Sequence, residues 1–298
     1  MRKAGKTARA APLEGRIVAS FGRRYLVELP DATFLDCVTR ARRGALACGD
    51  RVAVERSGPG QGVIEKTLPR ETLLYRSDRG RQKLIAANVT RIAVVVAPVP
   101  SFHHDLVTRC LVAAEQGRMS VIVVLNKMDL PAARPALESL SLFTQLGYRV
   151  VPISARDDVS PLLPFLRGQV SVLVGQSGMG KSTIINALSP AAAVRVAEIS
   201  AALDSGRHTT THARLYALER DTDIIDSPGL QVFGLHHVDA EDLAEAFVEF
   251  RPFLGHCRFR DCRHLTEPGC ALASACAAGK IDERRLQSYR TLLRERGD

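Results

Sequence analysis

Tryptophan is absent from this 298-residue chain, and aromatic residues make up only 5% of it. So lean an aromatic content argues against broad platforms on which nucleic-acid bases stack. Long apolar runs are missing as well. None approaches the roughly eighteen consecutive residues that a membrane-spanning helix needs, so a cytoplasmic protein with no membrane partner is expected. Residues 1–11 are basic at Arg2, Lys3, Lys6 and Arg9 but lack a following apolar stretch, so a basic tail is expected here rather than a secretory signal. Cysteine is too few and too uneven for a disulfide framework. Of seven, four fall between Cys257 and Cys276, the pattern of a metal site in a reducing compartment. Dimerising heptads are missing, and a monomer is expected.

What is present is a chain that is 46% hydrophobic and 24% charged, with a formal net charge of +9. That composition supports buried cores, and its basic balance suits a polyanionic partner, because each Lys or Arg placed on a phosphate releases condensed counterions. The pattern divides into three, expected at 1–72, 73–233 and 234–298. In the first, short β-like runs at 16–19, 25–29, 33–38 and 50–55 are joined by basic and glycine-rich turns. They point to a small barrel of the OB type, whose open strand face binds oligonucleotides. In the second, continuous Val/Ile runs at 91–97 and 120–125 mark strands of a parallel sheet covered on both faces. Further strands are expected at 149–153, 169–174, 214–218 and 222–225, with a helix at 105–116, giving a three-layer α/β domain. The third carries a helix at 240–250, a Cys/His cluster, and a charged helix from about 282 to 294.

The strongest motif is Gly175-Gln176-Ser177-Gly178-Met179-Gly180-Lys181-Ser182, followed by Thr183. It fits the phosphate loop G-x-x-x-x-G-K-[ST], lying between an apolar strand and a helix as that loop must. Its backbone N–H groups are expected to cradle phosphate, Lys181 to bridge the β- and γ-phosphates, and Ser182 to ligate Mg²⁺. Asn126-Lys127-Met128-Asp129 selects the base. A carboxylate at Asp129 accepts from N1–H and the exocyclic amine of guanine, and adenine offers no such donor pair. Ser154-Ala155, after the next strand, is placed for a backbone contact to guanine O6.

Asp226-Ser227-Pro228-Gly229 supplies an aspartate for the Mg²⁺ shell and, at Gly229, an N–H to sense the γ-phosphate. The polar stretch Gly206-Arg207-His208-Thr209-Thr210-Thr211-His212 reads as a first switch loop. Thr210 is the Mg²⁺-side threonine of choice, with Thr209 and Thr211 as alternatives. Leu230 stands where many GTPases carry a water-orienting Gln, so His208 is the internal candidate for that role, the other reading being a residue that packs or caps the loop. The order of motifs is permuted: base readers come first and the phosphate loop follows. A parallel sheet tolerates this because site geometry depends on strand position and not on chain order. A nucleotide kinase is disfavoured, since no acceptor site is recognisable.

Cys257-x₄-Cys262-x-His264-x₅-Cys270 offers three thiolates and an imidazole, a closed donor set for one structural Zn²⁺. Cys276 is spare by spacing, and His256 is a weaker alternative ligand.

Together the permuted order, the stretch 206–211, Asp226-Ser227-Pro228-Gly229 and the Cys257/Cys262/His264/Cys270 set resemble the bacterial RsgA (YjeQ) family over nearly the whole chain. The resemblance implies an N-terminal OB-fold touching ribosomal RNA, a circularly permuted P-loop GTPase domain and a C-terminal α-helical zinc-binding module. It implies a GTPase that binds the small ribosomal subunit late in maturation and times release of itself or an assembly factor. It also places the family's catalytic histidine on His208 and its zinc ligands on the four residues named. The alternative is a GTP-dependent RNA-binding switch with a non-ribosomal partner.

Overall fold

The computed structural model describes residues 12–40, 45–78, 81–190, 213–219, 221–227, 235 and 238–296. The first five strands are β1 (Leu13–Phe21), β2 (Arg24–Glu28), β3 (Phe34–Thr39), β4 (Arg51–Gly58) and β5 (Gln61–Thr67). They run in the order β1-β2-β3-β5-β4, and β4 returns to β1, closing a five-stranded barrel. This is the OB arrangement, with one parallel pair, β3–β5, among antiparallel neighbours. Its interior is filled by Ile17, Val27, Leu35, Cys37, Val52, Val54 and Ile64, while their strand neighbours Val18, Ala19 and Leu26 belong to the larger core shared with the nucleotide domain. The sequence reading did not include β5, because its alternation is broken by Gly62 and by charged residues at Glu65 and Lys66. Nor did it include the hairpin β6 (Leu73–Asp78) and β7 (Arg81–Ala87), which follows the barrel.

The nucleotide-domain strands are β8 (Arg91–Val96), β9 (Ser120–Leu125), β10 (Arg149–Pro152), β11 (Val170–Val174), β12 (Arg214–Glu219) and β13 (Thr222–Asp226). Their order is β10-β9-β8-β11-β13-β12. The first five in that order are parallel. Strand β12 runs antiparallel to β13, and the sheet is therefore mixed. The connection between these two strands is too short for the crossover of a dozen or more residues that a parallel pair needs.

Helices α1 (His104–Gly117), α2 (Ala133–Ser139) and α3 (Ser141–Gln145) follow β8 and β9, and α4 (Leu163–Leu166) and α5 (Lys181–Leu188) flank β11. One core lies between the sheet and α4–α5, built from Ala93, Val95, Leu162, Leu166, Leu173, Ile184 and Ile185. A larger one on the opposite face unites Val94, Leu111 and Phe143 with Phe247, Tyr289 and Leu293 of the C-terminal region.

That region comprises α6 (Ala240–Glu245), α7 (Ala271–Ala277) and α8 (Glu283–Glu295). The helix expected over 240–250 stops at Glu245. Beyond it, Phe247 and Phe250 are held by i→i+3 backbone bonds, and their rings stack at 4.8 Å and meet Tyr289 edge-on. Polar contacts fasten the region to α1. Arg109 takes both oxygens of Glu295 at 2.6 and 2.7 Å, and the buried Arg285 donates to Thr108 at 3.1 Å and to Glu249 at 2.5 Å.

Barrel and sheet are continuous: β1 bridges β12 at Ala19 and Arg214. The Arg16 guanidinium on β1 also reaches both carboxylate oxygens of Asp223 on β13. No helix among the described residues is long and apolar enough to cross a membrane.

Candidate functional site

The chain reverses direction across the sheet between β8 and β11. From β8 it builds outward through β9 to β10, then returns to the other side of β8. Loops at the carboxyl ends of the strands diverge at such a point and leave a crevice. A cavity of about 560 Å³ lies there, lined by Asn126, Lys127, Asp129, Ala155, Gly175, Ser177, Gly178, Gly180, Lys181, Ser182, Thr183 and Asp226, together with Val99, Leu130 and Arg156. Residues expected from four separate motifs are thus brought to one place.

The phosphate loop joins β11 to α5 and ends with the first N–H groups of that helix, which have no intrahelical acceptor and attract anions. Its glycines are sterically required. A Cβ on Gly175 would stand 2.3 Å from the Val95 carbonyl oxygen, and one on Gly180 would stand 2.3 Å from Asn126 Nδ2. Gly180 also has φ +92°, a left-handed conformation. Lys181 folds back over the loop, donating to the carbonyl oxygens of Gly175 at 2.7 Å and Gln176 at 3.0 Å. Burial lowers its pKa, opposed by the charge of Asp226. Asp226, at the end of β13, has its pKa raised by burial, opposed by Lys181 and then Arg214. Gln176 and Met179 contribute through their carbonyl oxygens, and the Met179 side chain is buried beneath the loop.

Asn126 is 2% exposed and acts as a joint. Its Oδ1 accepts the Ala155 N–H at 2.9 Å, while its Nδ2 donates to the Met179 carbonyl oxygen at 2.9 Å. Lys127 adopts φ +64° and extends its Nζ to the Val99 carbonyl oxygen at 2.6 Å, crossing the pocket. Asp129 is exposed at the cavity edge, with Ser154 Oγ 3.0 Å from its Oδ1. Met128 does not line the cavity. It packs on the core, and its N–H donates to Ile153.

Val99, Leu130 and Arg156 were not singled out from sequence. The first follows the end of β8, and its position at the carboxyl edge of a parallel strand was the available signal. His208, Thr210 and Gly229, together with Leu230, lie outside the described residues.

Ser182 and Asp226 present hard oxygen donors to the same cavity as Lys181, a donor set that fits Mg²⁺. For zinc the fit is metric. Nδ1 of His264 lies 3.5, 3.6 and 3.5 Å from Sγ of Cys257, Cys262 and Cys270. A tetrahedral site with Zn–S of about 2.3 Å and Zn–N of about 2.05 Å has an S···N edge of about 3.6 Å. All four donor atoms lie within 4.8 Å of one another. Among the described residues this cluster comprises those four, without Cys276 or His256. The knuckle is braced from α8: Tyr289 Oη donates to Arg263 O at 3.1 Å, and Arg290 Nε to His264 O at 3.1 Å.

Because β9 and β10 carry the base-reading turns, precede β11 in the chain and yet lie on the same sheet edge, the class is a circularly permuted P-loop GTPase. A family model described as RsgA GTPase matches residues 67–236. The chain belongs to the RsgA GTPase family. It is 55% identical over 98% of its length to a Nitrosospira multiformis protein named "Small ribosomal subunit biogenesis GTPase RsgA", of which 94% is covered. A Neisseria meningitidis protein of the same name is 50% identical, over 91% of this chain and 88% of that one. The crystal structure of YjeQ from Thermotoga maritima superposes with TM-score 0.72 at 28% identity, over 95% of this chain and 98% of that one. A structure of YloQ, titled a circularly permuted GTPase, shares the fold at TM-score 0.70 and 24% identity, over 99% of this chain and 98% of that one.

Proposed function

We propose that this GTPase acts on the small ribosomal subunit late in its maturation, hydrolysing GTP to GDP and phosphate to time its own release or that of an assembly factor. The observation that carries the reading is end-to-end similarity to proteins named for small-subunit biogenesis. The continuity of barrel and nucleotide sheet through β1 and β12 supports it, since an RNA-contacting barrel would then be built onto a strand beside the nucleotide site.

In this reading Asp129 accepts the guanine N1–H and exocyclic amine, while the Ala155 N–H, aligned by Asn126, stands near O6. Lys181 leaves the Gly175 and Gln176 carbonyls for the β- and γ-phosphates, exchanging a poorly solvated position for a charge-assisted one. Ser182, Asp226 and Thr210 would hold Mg²⁺, which would supply charge neutralisation at the phosphates. Gly229 donates its N–H to the γ-phosphate. His208 orients the attacking water, the Gln being replaced by Leu230. Water oxygen bonds to the γ-phosphorus as the bond to the β–γ bridging oxygen breaks; GDP leaves with that electron pair, and the water's proton passes to an oxygen of the phosphate released.

The division of labour follows the expected segments: a barrel at 1–72 that meets rRNA, the GTPase domain at 73–233, and a module at 234–298 stapled by one zinc ion. The protein works as a monomer in the cytoplasm.

GTP turnover, measured with and without purified small subunits at two salt concentrations, tests the reading. Strong stimulation that fades with salt, and is lost in Lys181→Ala, is expected. Tight guanine-nucleotide binding without stimulation would overturn the ribosomal assignment and leave the non-ribosomal RNA switch.

A further inference from the structure

Ser154 carries one hydroxyl proton and faces two carboxylates. Its Oγ lies 2.6 Å from Asp157 Oδ2 and 3.0 Å from Asp129 Oδ1. Ionised carboxylates only accept, so the hydroxyl can serve one of them at a time. The shorter contact is to Asp157. The backbone explains why that carboxylate competes: the N–H groups of Asp157 and Asp158 both donate to the Ser154 carbonyl oxygen, at 3.0 and 2.8 Å. This tight turn carries the Asp157 side chain back over Ser154. Asp158 is already committed, its two oxygens taking the N–H and hydroxyl of Ser160 at 2.8 and 2.9 Å.

We propose that Asp157 is a positioning residue that sets the strength of the base site. By holding the Ser154 hydroxyl it withholds from Asp129 the one side-chain donor found for that carboxylate among the described residues. The inference rests on reading Asp129 as the guanine acceptor. An unbraced carboxylate must be ordered by the incoming base, and that ordering is charged against the base's own two hydrogen bonds. The grip on guanine is weaker, and GDP leaves faster, than the motif alone would give. GTP and GDP present the same base and are affected alike.

Release of a fluorescent GDP analogue, chased with unlabelled GDP in a stopped-flow instrument, is the test, using full-length wild type, Asp157→Ala, Asp157→Asn, Ser154→Ala and the Asp157→Ala/Ser154→Ala double variant. Removing Asp157 should slow release roughly fivefold, the worth of one hydrogen bond. Asp157→Asn should also slow it, because an amide can donate to Ser154 Oγ and free the hydroxyl for Asp129. The double variant should release at the rate of Ser154→Ala alone.

Unchanged or faster release from Asp157→Ala overturns the inference. So does slowing that persists without the Ser154 hydroxyl, the mark of a through-space charge effect or of a turn that merely folds differently. Failure of the wild-type protein to bind the analogue would instead overturn the guanine reading of Asp129, and this inference with it.

Discussion

Asn126 donates its side-chain amide to the carbonyl oxygen of Met179 at 2.9 Å, tying the base-reading turn to the phosphate loop 53 positions away. Its other end accepts from Ala155, so one buried carboxamide sets the spacing of three loops. Replacing Asn126 with Ala removes both bonds and leaves buried partners unmet, at about 1–3 kcal/mol each. Guanine-nucleotide affinity should fall by about 10- to 100-fold in calorimetric titration, and the nucleotide-free protein should melt several degrees lower, because the unmet groups are buried with or without ligand.

Gly180 makes the same joint testable from the other side. A methyl at this position would meet Asn126 Nδ2 at 2.3 Å, and φ +92° adds strain for any L side chain. Gly180→Ala should weaken binding at least tenfold, because backbone strain of about 1–2 kcal/mol adds to the clash. In an Asn126→Ala background the clash is gone and only the backbone strain should remain. Equal losses in both backgrounds, read as a double-mutant cycle, would mean that the two residues act independently.

Without nucleotide the site is costly to fold. Asp226 is pushed up by burial, so its contribution to stability is full below the ordinary carboxylate pKa and is lost as pH rises through its raised value. Lys181 is pushed down by burial, so its contribution is present above its ordinary pKa and is lost as pH falls through its lowered value. The two groups stand half-buried in one cavity, and their mutual attraction offsets part of the desolvation of their charged forms. A Lys181→Met/Asp226→Asn double variant should therefore melt higher than nucleotide-free wild type by roughly 2 °C at neutral pH. The gain should shrink as pH falls through the raised pKa of Asp226. Scanning calorimetry of nucleotide-free protein in magnesium-free buffer, across pH, gives the answer.

Motifs were legible wherever local chemistry demands particular residues. The glycines of 175–180 and the Asn-Lys-x-Asp turn carry their reason in their sequence, and so does the Cys/His spacing. The orientation of β12 was legible only in the length of its link to β13, because an antiparallel strand and a parallel one carry the same apolar residues but so short a link excludes a parallel pair. The hairpin of β6 and β7 was missed for want of a tight-turn signal. Val99 and Arg156 join the cavity through strand order, which no local pattern encodes. The Arg16–Asp223 pair links residues 207 positions apart on different strands and was invisible for the same reason.

That pair is a joint between barrel and GTPase sheet. Asp223 is 4% exposed, and the two terminal guanidinium nitrogens of Arg16, Nη1 and Nη2, address it. Arg16→Met would strand a buried carboxylate and should cost about 3 kcal/mol in urea denaturation. Arg16→Met/Asp223→Leu should recover most of that, because the desolvation penalty leaves with the charge. A loss in the double variant as large as in the single one would show that the joint depends on the ion pair itself.

The metal should matter beyond its own ligands. Tyr289 and Arg290 of α8 hold the carbonyls of Arg263 and His264, so the fold of the knuckle sets part of the boundary of the large core. One equivalent of zinc per chain is expected by elemental analysis, falling well below one in Cys262→Ser. Removing it with a strong chelator should loosen α8, because a module this small holds its shape through the metal bonds. Amide hydrogen exchange over 283–295 should accelerate, while β8 and β11, buried between two layers, keep their protection. If α8 instead exchanges at the same rate with and without metal, aromatic packing of Phe247, Phe250 and Tyr289 is sufficient to hold it, and the zinc serves only the knuckle.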